Sequence, residues 1–331
     1  MDPLAALTEI ATLLERERAS KYRSKAFRSA AQALAALPAA ARSDLSRVQR
    51  TKGIGDTTFA VIREALEGRV PSYLADLRAS AGIEVQSSLR GMLRGDLHAH
   101  SDWSDGLTPI DAMVDAARAL GHEYLALTDH SPRLRVANGL SAERLREQLA
   151  LVDGFSGDGF TLLGGIEVDI LDDGGLDQEP ELLDRLDVVV ASVHSHLRME
   201  SPAMTRRMLG AIRNPRTDVL GHCTGRLVEG SRGTRPQSAF DAAAVFAACA
   251  AEGVAVEINS RPERQDPPDD LIVVALDAGC LFSIDSDAHA PGQLSLLDHG
   301  AQRAEAMGVP AERIVTTWPL PRLREWLARA R

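Results

Sequence analysis

The chain of 331 residues is 44% apolar with a formal net charge of −10, a composition able to bury two cores or one large barrel with an appendage. Aromatics make up only 4%, which argues against a nucleic-acid binder built on stacking platforms, and no run approaches the ~18 uninterrupted apolar residues of a membrane span. The charge is uneven: residues 1–90 hold 14 Lys+Arg against 10 Asp+Glu and the remainder 23 against 37, so a basic front end precedes an acidic body.

Residues 3–36 read as helices. Leu4, Leu7, Ile10, Leu13 and Leu14 recur at helical spacing, and Tyr22, Phe27 and Leu34 extend the apolar face. This opening is acidic and amphipathic, not basic and then apolar, so no signal peptide is read there. Thr51-Lys52-Gly53-Ile54-Gly55-Asp56-Thr57-Thr58 follows as a glycine turn opening a helix that passes Ile62 and Leu66 and is ended by Gly68 and Pro71. Residues 81–93 read as a linker between an all-α domain over 1–80 and a second domain over 94–331.

From Arg94 onward, short β-rich runs alternate with Ala/Leu/Arg-rich helical stretches. The runs end near His98, His130, Glu167, His194, His222, Asn259 and Asp287, and the helices fall at 109–121, 141–152, 202–212, 238–252, 269–279 and 293–307. This alternation predicts an α/β fold, a parallel barrel or a doubly wound sheet. Cys223, Cys249 and Cys280, an odd three, give no disulfide framework and suit a reducing cytoplasm.

Seven of the nine histidines fall at or just after strand ends; only His122 and His299 lie elsewhere. In a parallel barrel those ends converge on one face, where active sites are built. Residues i and i+2 of a strand point the same way, so His98 and His100, or Asp287 and His289, can reach one cluster. Neutral imidazoles with a few carboxylates suit Zn, Mn or Fe better than Mg or Ca. Each pair alone could be a hydrogen-bonded core histidine or a helix cap. Together, buried without ions, they would leave many unsatisfied polar groups.

Gly95-Asp96-Leu97-His98-Ala99-His100-Ser101-Asp102-Trp103-Ser104-Asp105-Gly106, Thr128-Asp129-His130-Ser131-Pro132, Ser192-Val193-His194-Ser195-His196 and Ser286-Asp287-Ala288-His289 resemble the motifs of the polymerase and histidinol phosphatase (PHP) family. Leu134–Leu140 and Leu220–Arg226 resemble in particular the C-terminal PHP domain of bacterial family X DNA polymerases, and the likeness spans about residues 92–320. The resemblance implies a distorted seven-stranded (βα)7 TIM-like barrel holding three divalent ions. One ion would sit on His98, His100, Glu167 and Asp287, a second on Asp105, His130 and His289, and a third on Glu167, His194 and His222. Such ions activate water, so no serine or cysteine nucleophile is required. Arg135, Arg226 and Arg261 follow strands two, five and six, where guanidinium forks could hold phosphate oxygens. Asn259 is expected to position substrate and His196 to support the site or give a proton to the leaving oxygen. Cys223 stands where that family carries proline and offers one more possible ligand atom.

The Thr51–Thr58 turn resembles a helix-hairpin-helix loop, and Lys21–Arg28 resembles the start of the small N-terminal domain of family X polymerases. Lys25, Lys52, Gly53 and Gly55 would then contact DNA phosphates without reading sequence. A linker at 81–93 leaves no room for a polymerase palm, which excludes nucleotidyl transfer. The expectation is a metal-dependent phosphoesterase working at DNA 3′ ends, as exonuclease or 3′-phosphatase. The alternatives are a phosphatase for a phosphorylated small molecule, such as histidinol phosphate or a nucleotide, and a DNA-binding scaffold without catalysis.

Overall fold

The computed structural model describes all residues except 18, 81–86, 231–232 and 330–331. The chain divides into two compact units, Met1–Val85 with Pro291–Gln293, and Gln86–Ala290 with Leu294–Arg331.

The first unit is all-α: α1 (Pro3–Arg16), α2 (Lys21–Ala35), α3 (Leu45–Gln49), α4 (Asp56–Leu66) and α5 (Ser72–Ser80). Its core takes Leu7, Ile10 and Leu14 from α1, Phe27 and Leu34 from α2, Val61 and Ile62 from α4, and Leu74 from α5. Leu4 and Leu13 only flank that core. Tyr22, read as part of the apolar face, is instead 73% exposed, because α2 starts afresh at Lys21 and turns that position to water. Glu15 is buried and takes a bidentate pair from Arg28 at 2.7 and 2.6 Å, which offsets the cost of desolvating its charge. The glycine turn is as expected. Gly53 has φ +97°, and Gly55 opens α4, its N–H donating to Thr58 Oγ1 at 3.0 Å.

In the second unit seven strands form one sheet in sequence order, every neighbouring pair parallel: β1 (Gly95–Ala99), β2 (Tyr124–Leu127), β3 (Thr161–Asp169), β4 (Val188–Ser192), β5 (Val219–Leu220), β6 (Ala255–Asn259) and β7 (Phe282–Asp285). β7 returns beside β1 through an Ala99–Ala288 bridge, so the sheet is a nearly closed barrel. The intervening helices are α6 (Ile110–Ala119), α7 (Ala142–Val152), α8 (Pro180–Leu183), α9 (Ser201–Ile212), α10 (Ala242–Glu252), α11 (Asp269–Asp277) and α12 (Leu297–Ala306), with α13 (Leu320–Leu327) at the end. Residues 81–86 of the expected linker lie outside the described residues. Its remainder belongs to the barrel unit, where Leu89 and Leu93 join the core.

Strand alternation layers the barrel. Val188 and Val190 of β4 join Leu163, Ala255, Tyr124 and Ala126 in one apolar cluster, closed off by Val315, Trp318 and Trp326 of the C-terminal segment. Their neighbours Val189, Ala191, Ile166, Val168, Val256 and Ile258 pack in the larger cluster with the surrounding helices. The residues in register with the first set continue upward as Ser192, Glu167, Glu257, Asn259, Asp285 and Asp287, all buried. The same inward face therefore starts apolar and ends in carboxylates at the C-terminal end of the strands. The three cysteines are buried and free, and no helix among the described residues is long and apolar enough to cross a membrane.

Gly95 begins β1 against Tyr124, and a Cβ there would lie 2.2 Å from the Tyr124 ring and 2.4 Å from its carbonyl oxygen. Gly95→Ala is expected to lower the unfolding free energy by about 1–3 kcal/mol or more, read as a drop in urea midpoint.

Candidate metal centre

At the mouth, six imidazoles form a continuous group: His100 lies 4.2 Å from His289 and 4.4 Å from His130, ring centre to ring centre, and His194 lies 5.2 Å from both His130 and His222. His98 closes the group, 5.1 Å from His100 and 5.9 Å from His222. Glu167, fully buried on β3, stands in their midst. Its Oε2 is 3.3 Å from His98 Nε2, 3.7 Å from His100 Nε2 and 2.8 Å from His130 Nδ1. Its Oε1 is 3.2 Å from His194 Nε2 and 2.9 Å from His222 Nε2.

These approaches are not hydrogen bonds. His98 Nε2, both nitrogens of His100 and of His222, His130 Nδ1, His194 Nε2 and Glu167 Oε1 are buried with no hydrogen-bond partner among the described residues. So many orphaned buried atoms would be costly in an apo protein, and all of them are ligand atoms for divalent metals. They gather in three overlapping groups, each with its ligand atoms within 4.8 Å of one another: His98, His100 and Asp287; His100, Asp105, His130 and His289; and His130, Glu167 and His194. The residue set read from the sequence thus converges at one place. The third grouping differs in one respect, since His130 as well as His222 lies beside Glu167 and His194.

Surrounding groups fix the rings. His98 Nδ1 is 2.6 Å from Glu257, His194 Nδ1 bonds Asp169, and His289 Nδ1 is 2.9 Å from the Asp287 carbonyl. Each contact occupies Nδ1 and leaves the Nε2 lone pair facing the cluster, the arrangement common in metal-binding histidines. Asp287 has φ +50°, a strained conformation for a non-glycine residue, and its Oδ2 accepts from Asn259 at 3.1 Å and Arg264 at 3.1 Å. Asp129 neither orients His130 nor caps a helix. It accepts from Ser101, Ser104 and Gln148 and so pins the loop that follows β1.

The charges are strongly coupled. Burial pushes the Glu167 carboxyl up, but His194, His98 and His130 more than offset this and hold it well below the usual range. Asp287, against Arg264 and His100, is likewise depressed despite its burial. Burial and the nearby His289 and His130 push His100 down to about 3, whereas His130, its burial outweighed by Glu167 and Asp105, is raised to about 10. Deeper still, burial and the adjacent Asp96 push Asp285 well above the normal carboxylate range.

Other expectations fare differently. Asn259 is brought to Asp287, and Arg261 donates to the Asp287 carbonyl at 2.8 Å. Arg226 does not face the cluster; its guanidinium donates to the backbone carbonyls of Arg264 and Gln265. Arg135 is exposed on a short helical turn and has no side-chain partner among the described residues. His196 is exposed and bonds Asp172 at 2.8 Å, away from the metal-ligand groups, because a φ of +52° turns it out of the line of β4. Cys223 is directed to Asp266 at 3.9 Å, and burial raises its thiol, so it supplies no ligand atom here. Glu257, Asp169 and Arg264 were missed. Asp169 and Glu257 stand two residues from Glu167 and Asn259 on the same strands, which is the signal that could have found them.

The family model of the PHP domain matches residues 96–261. The chain belongs to the PHP family. A helix-hairpin-helix domain model matches residues 1–70. Among curated relatives, the PHP chain is 34% identical over 241 residues to a DNA polymerase/3′-5′ exonuclease PolX of Bacillus subtilis, covering 72% of this chain and 42% of that protein. It is 28% identical to a probable phosphatase of Serratia proteamaculans, over 71% of this chain and 94% of that one. The chain thus spans less than half of the polymerase relative and nearly all of the phosphatase relative. Among solved structures, histidinol phosphate phosphatase of Lactococcus lactis, complexed with zinc, L-histidinol and phosphate, aligns with TM-score 0.48 at 18% identity, over 65% of this chain and 94% of that chain.

Because the raised His130 carries a proton at neutral pH in the metal-free centre, ion binding must expel it. Titrating Zn²⁺ into chelator-treated protein in weak buffer at neutral pH is expected to release protons, with affinity weakening as pH falls. The same ion should raise Tm, and chelation should reverse the gain.

Proposed function

We propose that this hydrolase of phosphoric esters carries three divalent ions, of the Zn, Mn or Fe kind, and acts on phosphate esters at the 3′ ends of DNA. The observation that carries the reading is the set of orphaned imidazole nitrogens around buried Glu167, ligand atoms with no role in an ion-free protein. His98, His100 and Asp287 would hold one ion, Asp105, His130 and His289 another, and Glu167 with His194 and His222 a third, with Glu167 shared between sites. When bound, such ions lower the pKa of water toward ~7 and balance the charge of a phosphate ester.

The protein's own residues do the rest. Glu257, Asp169 and the Asp287 carbonyl hold three imidazoles by Nδ1, so each presents one nitrogen in one orientation. Asn259 and Arg264 occupy the second oxygen of Asp287, leaving its Oδ1 toward His100 at 3.5 Å. Arg261 braces the Asp287–His289 turn from the β6 side.

DNA is favoured because a helix-hairpin-helix domain shares the chain with the barrel and because the PolX relative is named a 3′-5′ exonuclease. Lys25, Lys52, Gly53 and Gly55 are all exposed, and the turn at 53–55 presents the start of α4, where backbone N–H groups can hold a phosphate. That affinity would be weak, sequence-independent and salt-sensitive. A phosphatase for a phosphorylated small molecule is the second reading, favoured by relatives named probable phosphatase that align along almost their whole length.

His98→Ala and Asp287→Asn are each expected to reduce hydrolysis of 4-nitrophenyl phosphate by at least about a thousandfold, while DNA retention stays unchanged. Removing residues 1–86 is expected to cut activity on DNA ends about tenfold or more and to spare the small ester. Equal loss on both substrates would make the front domain structural, and unchanged activity on DNA ends would favour the small-molecule reading.

A further inference from the structure

β3 and β4 pair in register as far as Asp169 and Ser192, and the Ile170 N–H adds one more bond to the Ser192 carbonyl at 2.8 Å. His194 lies two residues past the end of β4, unlike His98, which sits within β1. Asp169, whose carboxylate holds His194 Nδ1, is the last residue of β3. This pair therefore stands where the sheet stops supplying hydrogen bonds, and its geometry depends on the segments that follow.

Arg207 of α9 reaches those segments. It is the largest fully buried side chain among the described residues. Its Nε donates to the carbonyls of Ile170 at 3.0 Å and Leu171 at 3.1 Å, and its Nη1 to the carbonyl of Ser195 at 2.9 Å. Its Nη2 donates to the Ile170 carbonyl and, at 3.3 Å, to Ser195 Oγ. Ile170 follows Asp169 and Ser195 follows His194, so one planar group clamps the neighbours of both. The helix comes this close because Gly174, at φ +88°, meets it without a side chain: a Cβ there would lie 2.9 Å from the Arg207 carbonyl and from Gly210 Cα.

Packing alone calls for no cation at this position, since Met204, Met208 and Ala211 of the same helix fill the core with apolar side chains. A buried guanidinium is costly unless its donors are used, and the carboxylate it approaches, Asp172 at 3.4 Å, is itself more than half exposed. What the guanidinium supplies that an apolar side chain lacks is a link between two loops, in the place where strand pairing ends.

We propose that Arg207 is a positioning residue for His194, tying the ends of β3 and β4 so that the Asp169–His194 pair presents Nε2 beside Glu167. It thereby sets the affinity of the one ion that His194 helps to hold. The inference rests on the metal-centre reading and assigns to it a residue that touches no ion.

The test dialyses the zinc-loaded full chain against a series of buffered free Zn²⁺ concentrations and counts zinc per chain by elemental analysis. Arg207→Met is expected to weaken one ion by about tenfold or more, the usual effect of removing an outer support of a metal ligand, and to leave the others nearly unchanged. Arg207→Lys keeps the charge but cannot span both loops, so it should weaken the same ion and decides the matter if Arg207→Met fails to fold. Met208→Ala, a buried change on the same helix, should lower the urea midpoint yet keep the wild-type zinc profile. Zinc affinities unchanged in either Arg207 variant, or the same ion weakened in Met208→Ala, would overturn the assignment and leave the metal-centre reading standing. A wild type that retains no zinc at any concentration would overturn the metal-centre reading, and the role of Arg207 with it.

Discussion

The constraint on which this structure turns is a single buried carboxylate surrounded by imidazoles. Glu167 is sealed from water, yet five ring nitrogens approach its two oxygens without hydrogen-bond geometry. A buried charge is tolerated only when compensated. In a metal-free centre that compensation falls to protonated rings, of which His130 is the clearest case. Divalent cations do the same work without protons, and they also use the lone pairs that are otherwise orphaned. The centre is thus arranged for cations.

The fold supplies the placement through one repeated geometric device. On β3, β4, β6 and β7 the inward positions run from aliphatic or small residues at the base to polar residues at the top. The base is plugged by Trp318 and Trp326, so the lower barrel is a packed core and the upper barrel a polar cup. Between them lie Asp96, Glu257 and Asp285, buried acids that receive backbone and serine donors or a histidine nitrogen. Burial beside Asp96 pushes the Asp285 carboxyl well above the usual carboxylate range, which disfavours a further full charge beneath the centre.

Much of this was legible in the sequence, because strand alternation and converging strand ends are local rules with few exceptions. His98, His100, Asp105, His130, Glu167, His194, His222, Asp287 and His289 were all readable as one cluster. What failed did so where regular strand geometry stops. His196 obeys the i+2 rule on paper, but β4 ends at Ser192 and the left-handed turn at 196 sends the ring to Asp172. Arg226 looked like a phosphate clamp, yet backbone carbonyls from the next loop reach it first, a pairing across 38 and 39 positions that no local pattern shows. Tyr22 carries an apolar body but sits on the wet side of α2. The closing C-terminal segment, with Trp318 and, on α13, Trp326 in the barrel base, was missed because its role depends on contacts with β2, about two hundred positions away.

The most direct test of the account is anomalous diffraction from a crystal soaked in Mn²⁺. The account predicts strong peaks among the three groups around Glu167, bounded by His98, Asp105, His194, His222 and His289. A fully soaked crystal with no peak there, or with manganese only at surface carboxylates, would contradict it.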